Sequence, residues 1–112
     1  MTLISQIRRQ KVRAQQGMCF YCRQPMWEGC PGPFAARYGL KGPRLLWLQA
    51  TAEHLHARCE GGPDRIDNIV AACKYCNTRR HFCRVPPTPE EHAIKVQQRL
   101  EAGKWHGLSL RK

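Results

Sequence analysis

Acidic side chains are scarce in this chain: eight Asp and Glu stand against nineteen Lys and Arg, leaving a formal charge of +11 over 112 residues. Long apolar runs are missing as well. The first sixteen residues read as an exposed basic helix, because Leu3, Ile4, Ile7 and Val12 are interrupted by Arg8, Arg9, Lys11 and Arg13. Such a stretch is too polar and too short to cross a bilayer, so no membrane role is expected. There is no secretory leader pattern, no low-complexity segment and no internal repeat beyond a recurring Cys-x-x-Cys. The length predicts one domain, 1–112, with a core of modest size to which a structural metal would contribute.

The basic excess lies in four stretches, Arg8 to Arg13, Arg37 to Arg44, Lys74 to Arg84 and Lys104 to Lys112. A polyanionic partner follows, bound tightly at low salt and released as salt rises, because each neutralised phosphate frees condensed counterions. Charge alone favours nucleic acid over the bland alternatives, a ribosome-associated protein or a merely soluble basic one.

Seven cysteines could belong to a secreted disulfide scaffold, but the odd count and the two Cys-x-x-Cys spacings point to a reducing cytosol. Cys19/Cys22 and Cys73/Cys76 are separated by fifty residues. Each turn places two sulfurs at adjacent corners of a tetrahedron, with metal-sulfur distances of about 2.3 Å, so the two together predict one structural zinc. A thioredoxin-like redox pair is the rival for either, although neither sits in a strand-to-helix βαβ setting. Cys30, Cys59 and Cys83 are expected as small buried thiols, Cys59 lying nearest the polar residues between the knuckles.

Breakers at Pro25, Gly29, Pro31, Gly32, Pro33, Gly39, Gly42 and Pro43 predict an irregular loop over 23–44. Its Trp27, Phe34 and Tyr38 are expected to pack on the core. A strand is expected over Leu45 to Leu55, turn residues from Gly61 to Asp64, and a second strand over Ile69 to Ala72. The second knuckle then opens a helix carrying Asn77, Arg79, Arg80 and His81 that stops before Pro86. Thr88-Pro89-Glu90-Glu91 has the form of a capping box, so a last helix should run to about Ala102 and end at Gly103.

Glu53-His54-Leu55, Gly61-Gly62, Asn68-Ile69-Val70 and Cys73-Lys74-Tyr75-Cys76-Asn77 in this order resemble the HNH endonuclease family in its zinc-stabilised form. The resemblance covers Thr51 to His81, with the first knuckle as an outlying part. It implies an α+β fold: a small ββα-metal core over 17–85, flanked by the basic N-terminal helix 1–16 and by a C-terminal helix and tail 86–112. It also implies that His54 is the general base, that Asn68 bridges the long loop and keeps the imidazole aimed, and that Glu53, Asn77 and His81 hold a catalytic divalent ion. His56 has a weaker claim, to a phosphate. Magnesium or manganese is the expected ion, zinc and nickel the alternates. Arg58, Arg79 and Arg80 would grip neighbouring phosphates of DNA, double-stranded in expectation. Two departures stand out: glutamate at 53 where aspartate or histidine is usual, and Ala57 near the place of a frequent proline. Because side chains alternate along a strand, Glu53 and His54 can serve one site only if the backbone bends there.

What the resemblance implies is hydrolysis to a 5′ phosphate and a 3′ hydroxyl around one metal, since carboxylates are too few for two. The protein would be a monomer or weak dimer in a bacterial cytoplasm, or a phage protein in that of its host. A non-catalytic zinc-dependent nucleic-acid-binding module is the alternative, and a zinc-built protein adaptor has only the aromatics of residues 20 to 48 in its favour.

Overall fold

The computed structural model describes residues 2–110. Strands β1 (Ala50–His54) and β2 (Ile69–Cys73) pair antiparallel, from Ala50 opposite Cys73 to His54 opposite Ile69. A two-stranded ribbon is marginal alone, so what covers it matters. All of β2 is buried. Helix α1 (Leu3–Ala14) lies against both strands and buries Ile7, while Arg9 and Arg13 face solvent. The expected exposed basic helix is therefore exposed on one side only. The Gln15 amide just beyond it accepts from Ala71 N–H (2.9 Å) and donates to Ala71 C=O (2.8 Å), satisfying backbone groups on the free edge of β2.

The expected loop over 23–44 contains two short helices, α2 (Gly32–Tyr38) and α3 (Pro43–Trp47). The breakers fall at their ends: Pro33 and Pro43 lie in first turns, where a missing N–H costs nothing, and Gly39 ends α2 with φ 64°. Leu45, Leu46 and Trp47 belong to α3, so the first strand begins five residues later than its apolar content predicts. Trp27 Nε1 donates to Leu45 C=O (2.7 Å), and Trp27 and Phe34 pack on the core with Tyr38 against Phe34.

Helix α4 (Lys74–Arg80) follows β2 directly and is N-capped by Cys73, whose sulfur accepts from Cys76 N–H. It stops at Arg80, leaving His81 as its C-cap instead of a helical residue. Helix α5 (Pro89–Glu101) starts with both bonds of the Thr88/Glu91 capping box. Strand, loop, strand and helix give a small α+β architecture with flanking helices, whose core gathers Tyr21, Leu48 and Val96 around Cys19, Cys22, Cys73 and Cys76. Cys30, Cys59 and Cys83 are exposed, not buried as expected. No helix of the described residues is long and apolar enough to cross a membrane.

Candidate functional site

The four knuckle sulfurs lie within 4.8 Å of one another, all buried. Cys22 Sγ and Cys73 Sγ are 3.9 Å apart, against about 3.8 Å for two corners of a tetrahedron with 2.3 Å bonds. Backbone N–H groups point at sulfur: Tyr21 and Cys73 donate to Cys19 Sγ (3.4 and 3.2 Å), and Cys76 donates to Cys73 Sγ (3.4 Å). Thiol hydrogen bonds, first from Cys19, push the Cys22 pKa down, with the His106 imidazole as a lesser contributor. The same neighbours push Cys73 up, Cys19 foremost, and burial above all pushes Cys76 up. Several negative charges cannot share this dry space unless a cation offsets them. The donor set therefore fits a structural zinc, and the convergence of both knuckles on one point fits it better than an independent redox pair.

A cleft of about 610 Å³ opens where β1 meets the end of α4, lined among others by Glu53, His54, Arg58, Asn77 and His81. Glu53 is 1% exposed. Its Oε2 accepts from Tyr21 Oη–H (2.8 Å) and Arg80 Nη1 (3.1 Å), while Oε1 lies 3.0 Å from His81 Nε2. Burial first, and the Glu53 carboxylate second, raise the Tyr21 pKa, so the phenol stays a donor. The pairing register is unbroken through His54, and the bend expected at the pair comes after it, at Leu55–His56.

His54 Nε2 bonds Asp64 Oδ1 at 2.7 Å, and Asp64 also accepts from Arg58 Nη2 (3.1 Å). The His54 bond, with Arg58 assisting, holds the Asp64 carboxyl below its usual pKa. Asn68 staples the loop that carries Asp64: Oδ1 accepts from His56 N–H (2.8 Å), and Nδ2 donates to the carbonyls of His56 (3.2 Å) and Pro63 (3.0 Å). Its amide thus spans the loop without touching the His54 ring. Gly62 closes the same loop so tightly that a Cβ there would stand 1.7 Å from His56 O.

Asn77 Nδ2 donates to Thr51 Oγ1 (3.0 Å) and Ala52 C=O (3.3 Å), leaving Oδ1 as the amide's remaining acceptor. The side chain of Arg58 is 63% exposed, and the Arg79 guanidinium stacks 3.3 Å from the Tyr75 ring centroid. Arg80 departs from expectation. It is 2% exposed and spends its donors on Glu53, the carbonyls of His54 and Leu55, and Pro87 C=O, so it clamps the strand end instead of reaching a phosphate.

Glu53 Oε1 and His81 Nε2 stand at about the separation of two adjacent octahedral ligands with bonds near 2.1 Å. Asn77 lines the same cleft, and among the described residues the thiol cluster is the one group of three or more Cys, His, Asp or Glu side chains that could hold a metal. An ion in the cleft would keep several waters, as magnesium does.

Two residues of this constellation escape sequence reasoning. Tyr21, between the cysteines of the first knuckle, is given no role of its own by the sequence, and Asp64, after Gly61-Gly62-Pro63, reads as a turn residue.

The family model for HNH endonuclease matches residues 30–82. The match takes in β1, the stapled loop, β2, α4 and the second knuckle, but neither the first knuckle nor α5. No curated protein and no solved structure matches the chain.

Proposed function

Residues 30–82 match the HNH endonuclease family model, and from that premise we propose that this chain is an HNH-type, metal-dependent endonuclease hydrolysing DNA phosphodiester bonds. The observation that carries the reading is His54, bonded to Asp64 at 2.7 Å and lining one cleft with Glu53, Asn77 and His81. Asp64 accepts at Nε2, which fixes the tautomer with its proton there and leaves the Nδ1 lone pair to take a proton from water. The carboxylate then stabilises the imidazolium, so the ring works as a general base without losing its aim. Asn68 and Gly62 hold the loop that carries Asp64. Glu53, Asn77 and His81 would hold one divalent ion, magnesium or manganese with zinc or nickel as alternates. When bound, that ion supplies positive charge to a nonbridging phosphate oxygen and to the leaving 3′ oxygen. Arg58 and Arg79 bind flanking phosphates, and the +11 charge draws in the duplex. A structural zinc on Cys19, Cys22, Cys73 and Cys76 builds the frame, because Tyr21 hands the position of the first knuckle on to Glu53.

The test is cleavage of supercoiled plasmid with magnesium or manganese by the wild type and by His54→Ala, with bound zinc measured in both. Cutting by the wild type alone, at equal zinc content, supports the reading. Equal cutting by both removes His54 from the mechanism, and tight DNA binding with no cutting by either identifies a binding module.

A further inference from the structure

The tail after α5 folds back over the sulfur cluster. Gly103 and Gly107 turn the chain with φ of 68° and 74°, and Leu108 is buried. Between them Trp105 Nε1 donates to Cys76 Sγ at 3.3 Å. The next residue, His106, is 5% exposed and packs its ring 5.3 Å from that of Tyr75, beside Cys22. His106 Nδ1 accepts from Leu108 N–H (3.0 Å), so a neutral ring must carry its proton on Nε2. That Nε2 is buried with no hydrogen-bond partner among the described residues. An orphaned donor costs stability unless something nearby accepts from it, and the nearby acceptor is sulfur.

We propose that Trp105 and His106 form a strap whose two ring N–H groups hydrogen-bond the Cys76 and Cys22 thiolates and retain the metal that those thiolates bind. Four thiolates around a divalent ion leave two negative charges in the core, and the strap offsets them at Cys76 and Cys22, whereas the backbone donors reach Cys19 and Cys73. Both residues lie outside the matched span, so this device belongs to the tail of this chain and not to the 30–82 core.

The inference rests on the zinc reading above, and its test uses zinc retention so that the two can fail separately. Zinc-loaded full-length protein is mixed with excess chromophoric chelator, and the transfer rate is compared for wild type, Trp105→Phe and His106→Phe. Each variant should release zinc about tenfold faster, since loss of an outer hydrogen bond to a ligand typically weakens metal binding by that order. His106→Gln restores an N–H donor and should bring the rate back towards wild type. In 113Cd-loaded protein the indole Nε1 proton should show scalar coupling to cadmium, with a chemical shift typical of four sulfurs. Unchanged release rates, or absence of that coupling, overturn the strap while leaving the zinc site standing. A shift typical of three sulfurs and one nitrogen makes His106 a ligand and overturns its part. Protein that binds neither zinc nor cadmium removes the metal reading and the strap with it.

Discussion

The sulfur cluster and the cleft differ in almost every physical respect. One is closed, dry and made of four soft donors already gathered within 4.8 Å; the other is open, made of a carboxylate, an imidazole and an amide, with the His81 side chain 32% exposed. Soft thiolates select zinc and leave no vacant position, whereas a sparse oxygen and nitrogen set keeps room for water and substrate. On the proposed reading, the contrast gives assembly to the first region and chemistry to the second. Tyr21 joins them, being part of the knuckle by sequence and a partner of Glu53 by its hydroxyl.

The contrast breaks most completely at sulfur. Cys73→Ser should lose zinc and cooperative folding together, seen as the disappearance of a sharp thermal transition and of stoichiometric zinc. A metal-free protein that still melts sharply would reverse the assignment. In the cleft, His54→Ala should cut plasmid cleavage by about 10³-fold with zinc content and melting unchanged, the usual size for losing a general base. Asp64→Asn should cost less than His54→Ala, since it orients the base without replacing it. The Asp64 carboxyl is held below its usual pKa in the folded protein, so its bond to His54 is intact at and above the unfolded value and is lost as pH falls through the folded one. Its stabilising contribution should therefore fade in acid, seen as a loss of unfolding free energy at low pH that is absent in Asp64→Asn. Gly62→Ala forces the loop backbone apart and should destabilise the fold by about 3 kcal/mol, measured by denaturant unfolding. The smallest effect sharpens the link between the regions: Tyr21→Phe should keep zinc, cost about 1 kcal/mol, and raise the magnesium needed for half-maximal cleavage.

Much of the assembly region was legible because its signals are local. Two knuckle spacings and a capping box each specify geometry within four residues, and Thr88, Glu91 and the four cysteines stand where their spacing puts them. The resemblance likewise named Glu53, His54, Asn77 and His81, which line one cleft. What escaped depends on contacts distant in sequence. Arg80 sits in a basic run and looks like its neighbour Arg79, yet α4 turns Arg80 towards Glu53 and Arg79 towards Tyr75. A count of prolines and glycines says where helices cannot continue, not that they are absent, and so α2 and α3 were hidden among their own end signals.

The amide bonds that border the ribbon have one more consequence. Gln15 occupies both polar groups of Ala71 on one side, while on the other Asn77 covers the Ala52 carbonyl and Trp27 the Ala50 amide. An incoming strand finds those rungs already taken, so two copies of this molecule have little means of zipping together through their sheets. Any self-association would have to use side-chain surfaces instead, leaving the hairpin of each copy intact.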